Sequence, residues 1–215
     1  MISVVKHSLL GVMTVKSLIL DEGDLALVDT GYSAGCGGRI LDAVKGMGRQ
    51  PDEIKLCILT HKHFDHVGGL RRLKDLCGFK VASHKAEADE IKKATGVDVD
   101  VRLENGDNLP FAGGLRVIHT PGHTRGSISL LAGRALIVGD ALRGDGGSLR
   151  PPSRRFSEEY GLAVQSLLRL AELDFDKVYV SHGRDVERDG KEQITRLVKN
   201  LEAGKGSQPD GCKNQ

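Results

Sequence analysis

Apolar and β-branched residues gather along the chain in short runs, and between those runs they recur at three- and four-residue intervals. A period of two marks strands and a period near 3.6 marks helices. The runs predict strands near 3–7, 13–20 and 24–29, with Asp21-Glu22-Gly23-Asp24 turning the last pair, and further strands at 54–60 and 79–82. Helices are predicted at about 37–48, near 67–76 and near 84–95, the last with Ser83 as its N-cap. Strands follow near 114–119, 126–132 and 134–139, then a loop over 142–156 rich in Gly, Pro and Arg, a helix at about 157–172, a strand at 177–181 and a helix at about 190–203. Periodicity by itself supports an α/β domain over residues 1–203. Residues 204–215 are polar, Gly-rich and without period, and are expected to form a flexible tail.

Composition excludes some classes. A chain of 215 residues with 39% hydrophobic and 28% charged positions is long enough for one cored domain and too apolar for a disordered one. The formal net charge of +2 is too small to make nucleic acid the expected partner. No apolar stretch reaches the length of a membrane span, and Lys6, His7 and Lys16 interrupt the apolar N-terminal residues, which read as strands rather than a signal peptide. Cys36, Cys57, Cys77 and Cys212 form no Cys-x-x-Cys pair. The expectation is a cytoplasmic protein with no membrane partner, Cys57 serving as core packing inside its strand.

The chemistry concentrates in Thr60-His61-Lys62-His63-Phe64-Asp65-His66, where four of seven side chains are of metal-binding type. This cluster closes the apolar run 54–60. On an extended chain, residues i and i+2 point the same way, so His61 and His63 can grip one ion. Asp65 and His66 fall at the entrance of the next helix and aim elsewhere, so one loop could serve two metals. His123 in Thr120-Pro121-Gly122-His123-Thr124, Asp140 after 134–139, and His182 after 177–181 share this setting, each a polar residue at the end of an apolar strand.

The ordered set resembles the metallo-β-lactamase superfamily, whose motifs are an Asp after the third strand, the His-x-His-x-Asp-His loop, a His, an Asp and a final His. They fall here on Asp29 in Leu27-Val28-Asp29-Thr30-Gly31, then His61, His63, Asp65 and His66, then His123, Asp140 and His182. The resemblance implies a four-layer αββα sandwich holding two divalent metal ions, zinc first and iron or manganese as alternatives. It gives one ion to His61, His63 and His123 and the other to Asp65, His66 and His182, with Asp140 bridging both and Asp29 supporting the metal loop from behind. It also implies a hydrolase, with Asp65 and Asp140 as its catalytic carboxylates, attacking a small thioester or lactone carbonyl with a hydroxide shared by the metals. His63 favours hydrolysis, because the flavodiiron branch usually carries Glu at that place. The string 120–130 resembles glyoxalase II, a thioesterase, while the chain ends about one helix after His182, where that enzyme carries a glutathione-binding helical region. The alternative is a mononuclear iron oxidoreductase of the persulfide dioxygenase type.

Arg143, Arg154 and Arg155 lie in the 142–156 loop that follows Asp140, and they are candidate contacts for a small anionic substrate. The same arginines also suit a plainly solvated loop. His84 and His119 are expected to be structural, His7 has no assigned role, Gly122 and Gly183 are expected to give steric room beside ligands, and Asp107 is expected to be turn chemistry.

Overall fold

Residues 1–204, apart from 10 and 12, are described in a computed structural model. The tail expected over 204–215 lies, from residue 205 onward, outside the described residues, as does Cys212.

The chain opens with β1 (Ile2–Leu9), β2 (Met13–Glu22) and β3 (Asp24–Val28), then α1 (Ala34–Gly46), a 3-10 turn at Pro51–Glu53 and β4 (Ile54–Leu59). Next come α2 (Phe64–Val67), α3 (Leu70–Cys77), β5 (Lys80–His84), α4 (Ala88–Thr95), β6 (Val101–Leu103) and β7 (Asn108–Leu109). The second half runs β8 (Leu115–His119), β9 (Ile128–Ala132), β10 (Ala135–Ile137), β11 (Arg143–Asp145), β12 (Ser148–Arg150), α5 (Tyr160–Ala171), β13 (Lys177–Tyr179) and α6 (Gly190–Glu202). A six-stranded sheet takes the first six strands in chain order, a five-stranded sheet has the order β13-β10-β9-β8-β7, and β11 and β12 form a two-stranded sheet.

Three apolar clusters stack these pieces into four αββα layers. Ile40 and Val44 of α1, Leu70 and Leu73 of α3 and Ile91 of α4 pack on the outer face of the first sheet. Leu167 and Leu170 of α5 and Ile194 and Val198 of α6 cover the outer face of the second. Between the sheets lie Leu18, Leu20, Ala26, Val28, Leu56 and Ile58 from one side and Leu115, Val117, Leu130 and Ile137 from the other. Strands covered on both faces read as continuous apolar runs. Thus Ile19, Leu27 and Cys57 join the outer cluster while their neighbours Leu18, Val28 and Ile58 join the inner one.

Three expectations are corrected. Ser83 does not cap a helix: it pairs within β5 to Leu59 and Arg102, and α4 begins later, at Ala88. The helix expected near 67–76 is two, α2 and α3, separated at Gly68-Gly69, where a Cβ on Gly69 would lie 2.3 Å from the Thr30 carbonyl oxygen. The short strands β6 and β7 were not expected. The 142–156 segment contains the β11–β12 hairpin, seated by buried Leu142 and Leu149 in the second outer core, so its first half is not a loop.

Candidate metal centre

The ligand-type residues all follow strand ends at one edge of the sandwich. Asp29 follows β3, and His61 and His63 follow β4, which is parallel to β3. In the second sheet β8 and β10 are both antiparallel to β9, and β10 is parallel to β13, so all three deliver their C-terminal ends in one direction. His123, Asp140 and His182 lie just beyond those ends. The short α2 turns Asp65 and His66 back toward them. The sheets are joined here by a hydrogen bond from the Ile128 N–H to the Thr60 carbonyl, 3.0 Å.

Two ligand sets result. His63 Nδ1 lies 3.1 Å from His61 Nε2 and 3.0 Å from His123 Nε2, and Asp140 Oδ2 lies 3.3 Å from His123 Nε2. In the second set, Asp65 Oδ2 lies 3.2 Å from His182 Nε2 and 3.8 Å from His66 Nε2, while Asp140 Oδ1 lies 3.3 Å from His66 Nε2 and 3.5 Å from His182 Nε2. For a tetrahedral ion about 2.0–2.1 Å from each donor, ligands stand about 3.3–3.4 Å apart. These separations bracket that value. His61, His63 and His123 form one group able to hold an ion, and Asp65, His66 and His182 another. Buried His66 Nε2 and Asp140 Oδ1 face each other at 3.3 Å, and neither makes a hydrogen bond among the described residues. An unmade buried bond costs about 1–3 kcal/mol, and a cation between these atoms would remove that cost. The residues therefore fit a divalent metal.

The metallo-beta-lactamase superfamily model matches residues 11–182. The chain belongs to that superfamily. It is similar to a hydroxyacylglutathione hydrolase of Rhodopseudomonas palustris strain BisB5, 38% identical over 130 residues that cover 58% of this chain and 47% of that protein. It is also similar to an N-acyl homoserine lactonase from a Bacillus species, 29% identical over 164 residues, 70% of this chain and 64% of that protein. The chain thus spans about half the length of the hydroxyacylglutathione hydrolases it matches. Among solved structures, a metallo-beta-lactamase family protein from Thermus thermophilus superposes with a TM-score of 0.72 at 22% identity, covering 94% of this chain and 79% of that one. At that identity the likeness carries the fold. Metallo-beta-lactamase superfamily membership implies divalent metal binding.

Behind the candidate ligands, hydrogen bonds fix which ring nitrogen faces the centre. Asp29 is buried with φ of 59°, a left-handed backbone that Asp tolerates better than most residues. Its Oδ1 accepts the Thr60 N–H and its Oδ2 the Thr60 hydroxyl, each at 2.8 Å. His66 Nδ1 donates to Asp29 Oδ2 at 2.8 Å, leaving Nε2 for the centre. The Thr60 hydroxyl, already donating to Asp29, accepts from His61 Nδ1 at 3.1 Å, and His182 Nδ1 donates to the Thr14 carbonyl at 3.0 Å. Burial lowers the pKa of His61, His63 and His123, the last to about 4. Burial also opposes charge on His66, but the Asp140 and Asp29 carboxylates outweigh it and hold His66 well above its ordinary value. His182 rises to about 9, burial being overcome by the Asp140 and Asp65 carboxylates beside it. Burial works against ionised Asp140 and Asp65 too, yet His66 and His182 hold Asp140 well below the carboxylate range and His182 lowers Asp65.

The remaining sequence candidates fall outside the two sets. His119 stacks on His84, ring centroids 3.9 Å apart, and neither joins the centre. His7 is buried beside the Ser17 hydroxyl, 3.0 Å away. Gly122 and Gly183 do give steric room: a Cβ on Gly122 would lie 2.0 Å from the Ala163 backbone nitrogen, and one on Gly183 2.0 Å from the Gly144 carbonyl oxygen. Cys57 is core, and Asp107 closes a turn by accepting the Glu104 N–H at 2.8 Å. Arg143 Nε donates to the Pro151 carbonyl at 3.3 Å, the Arg154 guanidinium lies 4.2 Å over the Tyr160 ring, and that of Arg155 lies 5.6 Å over Phe156. Two supports went unread in the sequence. Buried Lys16 pairs with Asp185 at 2.5 Å, and Asp185 also accepts the Val180 N–H at 2.9 Å, steadying the strand end before His182. Glu87 is wholly buried. Nothing local separates it from an ordinary acidic residue at a helix start.

Proposed function

We propose that this chain is a metal-dependent hydrolase that cleaves a small thioester or lactone at a centre of two divalent ions. The observation that carries the reading is Asp140, whose two oxygens face different ligand sets, Oδ2 toward His123 and Oδ1 toward His66 and His182. His61, His63 and His123 would hold one ion, Asp65, His66 and His182 the other, and Asp140 both. Mixed imidazole and carboxylate donors suit zinc, with iron or manganese as alternatives. When bound, two such ions supply a water whose pKa falls from 15.7 to about 7 and a Lewis acid for a carbonyl oxygen.

The chain's own residues do the rest. Asp65, kept ionised, would accept a hydrogen bond from the attacking water and hold its orientation. Asp29 keeps His66 in the tautomer that presents Nε2. The relatives' activities, hydrolysis of hydroxyacylglutathione and of an N-acyl homoserine lactone, support an ester-type carbonyl with a sulfur or oxygen leaving group. Exposed Arg154 and Arg155, with Arg143 in the same segment, support a substrate bearing a carboxylate or phosphate. Metal analysis by plasma mass spectrometry, followed by turnover of a panel of thioesters, lactones and persulfides, tests the reading. Two ions per chain with thioester or lactone cleavage is the expected result. One iron per chain, unchanged after incubation with zinc or manganese, with oxygen consumed alongside a persulfide, would replace it with a dioxygenase.

A further inference from the structure

The three imidazoles of the first ligand set come from loops on different sheets, residues 61–63 after β4 and residues 120–126 after β8. A buried carboxylate ties those loops together. Glu87 stands at the N-cap of α4 with 0% exposure. Its Oε2 accepts the backbone N–H of Lys62 at 2.8 Å, and its Oε1 accepts that of Gly126 at 2.8 Å. Lys62 lies between His61 and His63, and Gly126 lies three residues after His123. The approach leaves no room for a side chain, because a Cβ on Gly126 would stand 2.6 Å from Glu87 Cγ. Burying a carboxylate costs several kcal/mol unless charge-assisted hydrogen bonds offset it. Starting α4 does not require that cost, since an exposed Ser, Thr or Asp caps a helix as well. Near the surface a second carboxylate repeats the link: Glu158 Oε1 lies 2.8 Å from Lys62 Nζ, and its Oε2 accepts the Arg125 N–H at 3.0 Å. Those side chains are 24% and 33% exposed, so that ion pair is worth only about 0–1 kcal/mol.

We propose that Glu87 is a positioning residue for the metal centre: by clasping Lys62 and Gly126 it sets the distance of His61 and His63 from His123. This assignment rests on the metal-centre reading above. Ligand atoms must be held to within about 0.5 Å for a site to bind its ion well, and loops from separate sheets have no covalent means of keeping that register.

The test uses the full chain with Glu87→Gln, which keeps the size but turns one accepting oxygen into a donor facing an N–H. Gly126→Ala attacks the same clasp from the other side, and Glu158→Gln is the control. Zinc affinity at each set is read by chelator competition, ligand geometry by the absorption spectrum of cobalt(II)-loaded protein, and the clasp itself by hydrogen exchange of the Lys62 and Gly126 amides without metal. Glu87→Gln and Gly126→Ala should each weaken the ion at the three-histidine set about 10–100-fold, change the cobalt spectrum and leave the other ion's affinity near wild type. Glu158→Gln should cost no more than about fivefold. A merely structural role would lower both affinities together, and that outcome overturns the proposal. So does wild-type affinity in both variants when the two amides are protected in the parent. A parent chain that binds no ion while both amides stay protected refutes the metal-centre reading, and the role given to Glu87 falls with it. If Glu87→Gln does not fold, Gly126→Ala carries the same comparison.

Discussion

One half of the centre holds its imidazoles neutral and the other holds them charged, although the two share Asp140. His61, His63 and His123 are pushed down by burial, with neighbouring imidazoles adding to it. His66 is fully buried and His182 largely so, yet the carboxylates of Asp29, Asp65 and Asp140 around them reverse the sign. A metal ligand must be unprotonated. The three-histidine set is therefore ready for an ion at neutral pH, whereas the other set keeps protons where positive charge is needed and must release them to bind. Similar residue types thus give two ligand sets with different pH behaviour, and the difference comes from how many carboxylates face each.

The strongest way to break this contrast is to remove what the halves share. Asp140→Ala should bring turnover to background and weaken both ions, whereas His182→Ala should empty the second set and leave about one ion per chain at the three-histidine set. Metal analysis after dialysis reads both, and equal loss from the two variants would show that the sets are not separate. The contrast sharpens with pH. His182, titrating at about 9, carries its proton at neutral pH, so lowering the pH strengthens competition for the second ion and raising it tightens that ion about tenfold per unit for each proton displaced. The first ion should change little between pH 6 and about 8, because burial holds His123 near 4. Chelator titrations at several pH values with equal slopes for both ions would erase the distinction. Asp29→Ala, which frees His66 to rotate, should cost about 10–100-fold in activity or second-ion affinity while saturating metal still fills both sets. The smallest effect is expected outside the centre: Arg154→Ala with Arg155→Ala should raise KM for anionic substrates a few fold, leave neutral esters and lactones unchanged and weaken the salt dependence. Parallel shifts for both substrate types would leave these arginines as surface charge.

Much of this arrangement is legible in the sequence because the chemistry follows apolar strands. Residues 54–60 announce a strand buried on both faces, and the polar cluster that ends it has to sit at a sheet edge. The misreadings arise where pairing between distant segments overrides local preference. Ser83 has the side chain of an N-cap but is claimed by strands on both sides of it, at Leu59 and Arg102. The strands β6 and β7, of 3 and 2 residues, are too short to show a period and exist only through their partners. The β11–β12 hairpin did carry a signal: Gly146-Gly147, with φ of 58° and 100°, is a two-residue turn of the kind that favours hairpins. Arginines and prolines around it masked that cue. Glu87 could not be found from sequence, since its role depends on two backbone N–H groups brought to it by separate loops.

The bond from His182 to the Thr14 carbonyl joins residues 168 positions apart, and Lys16 with Asp185 spans 169. Doubling a loop adds only about 0.6 kcal/mol to the entropy of closing it, so this joint slows folding more than it lowers stability. The three-histidine set closes over a much shorter stretch, with His63 and His123 only 60 positions apart. The second set therefore depends on the first strand pair meeting the segment before α6. An ion that bound only the finished set would add about 2.7 kcal/mol when present at a hundred times its Kd, and would so hold the N-terminal strands against the segment before α6.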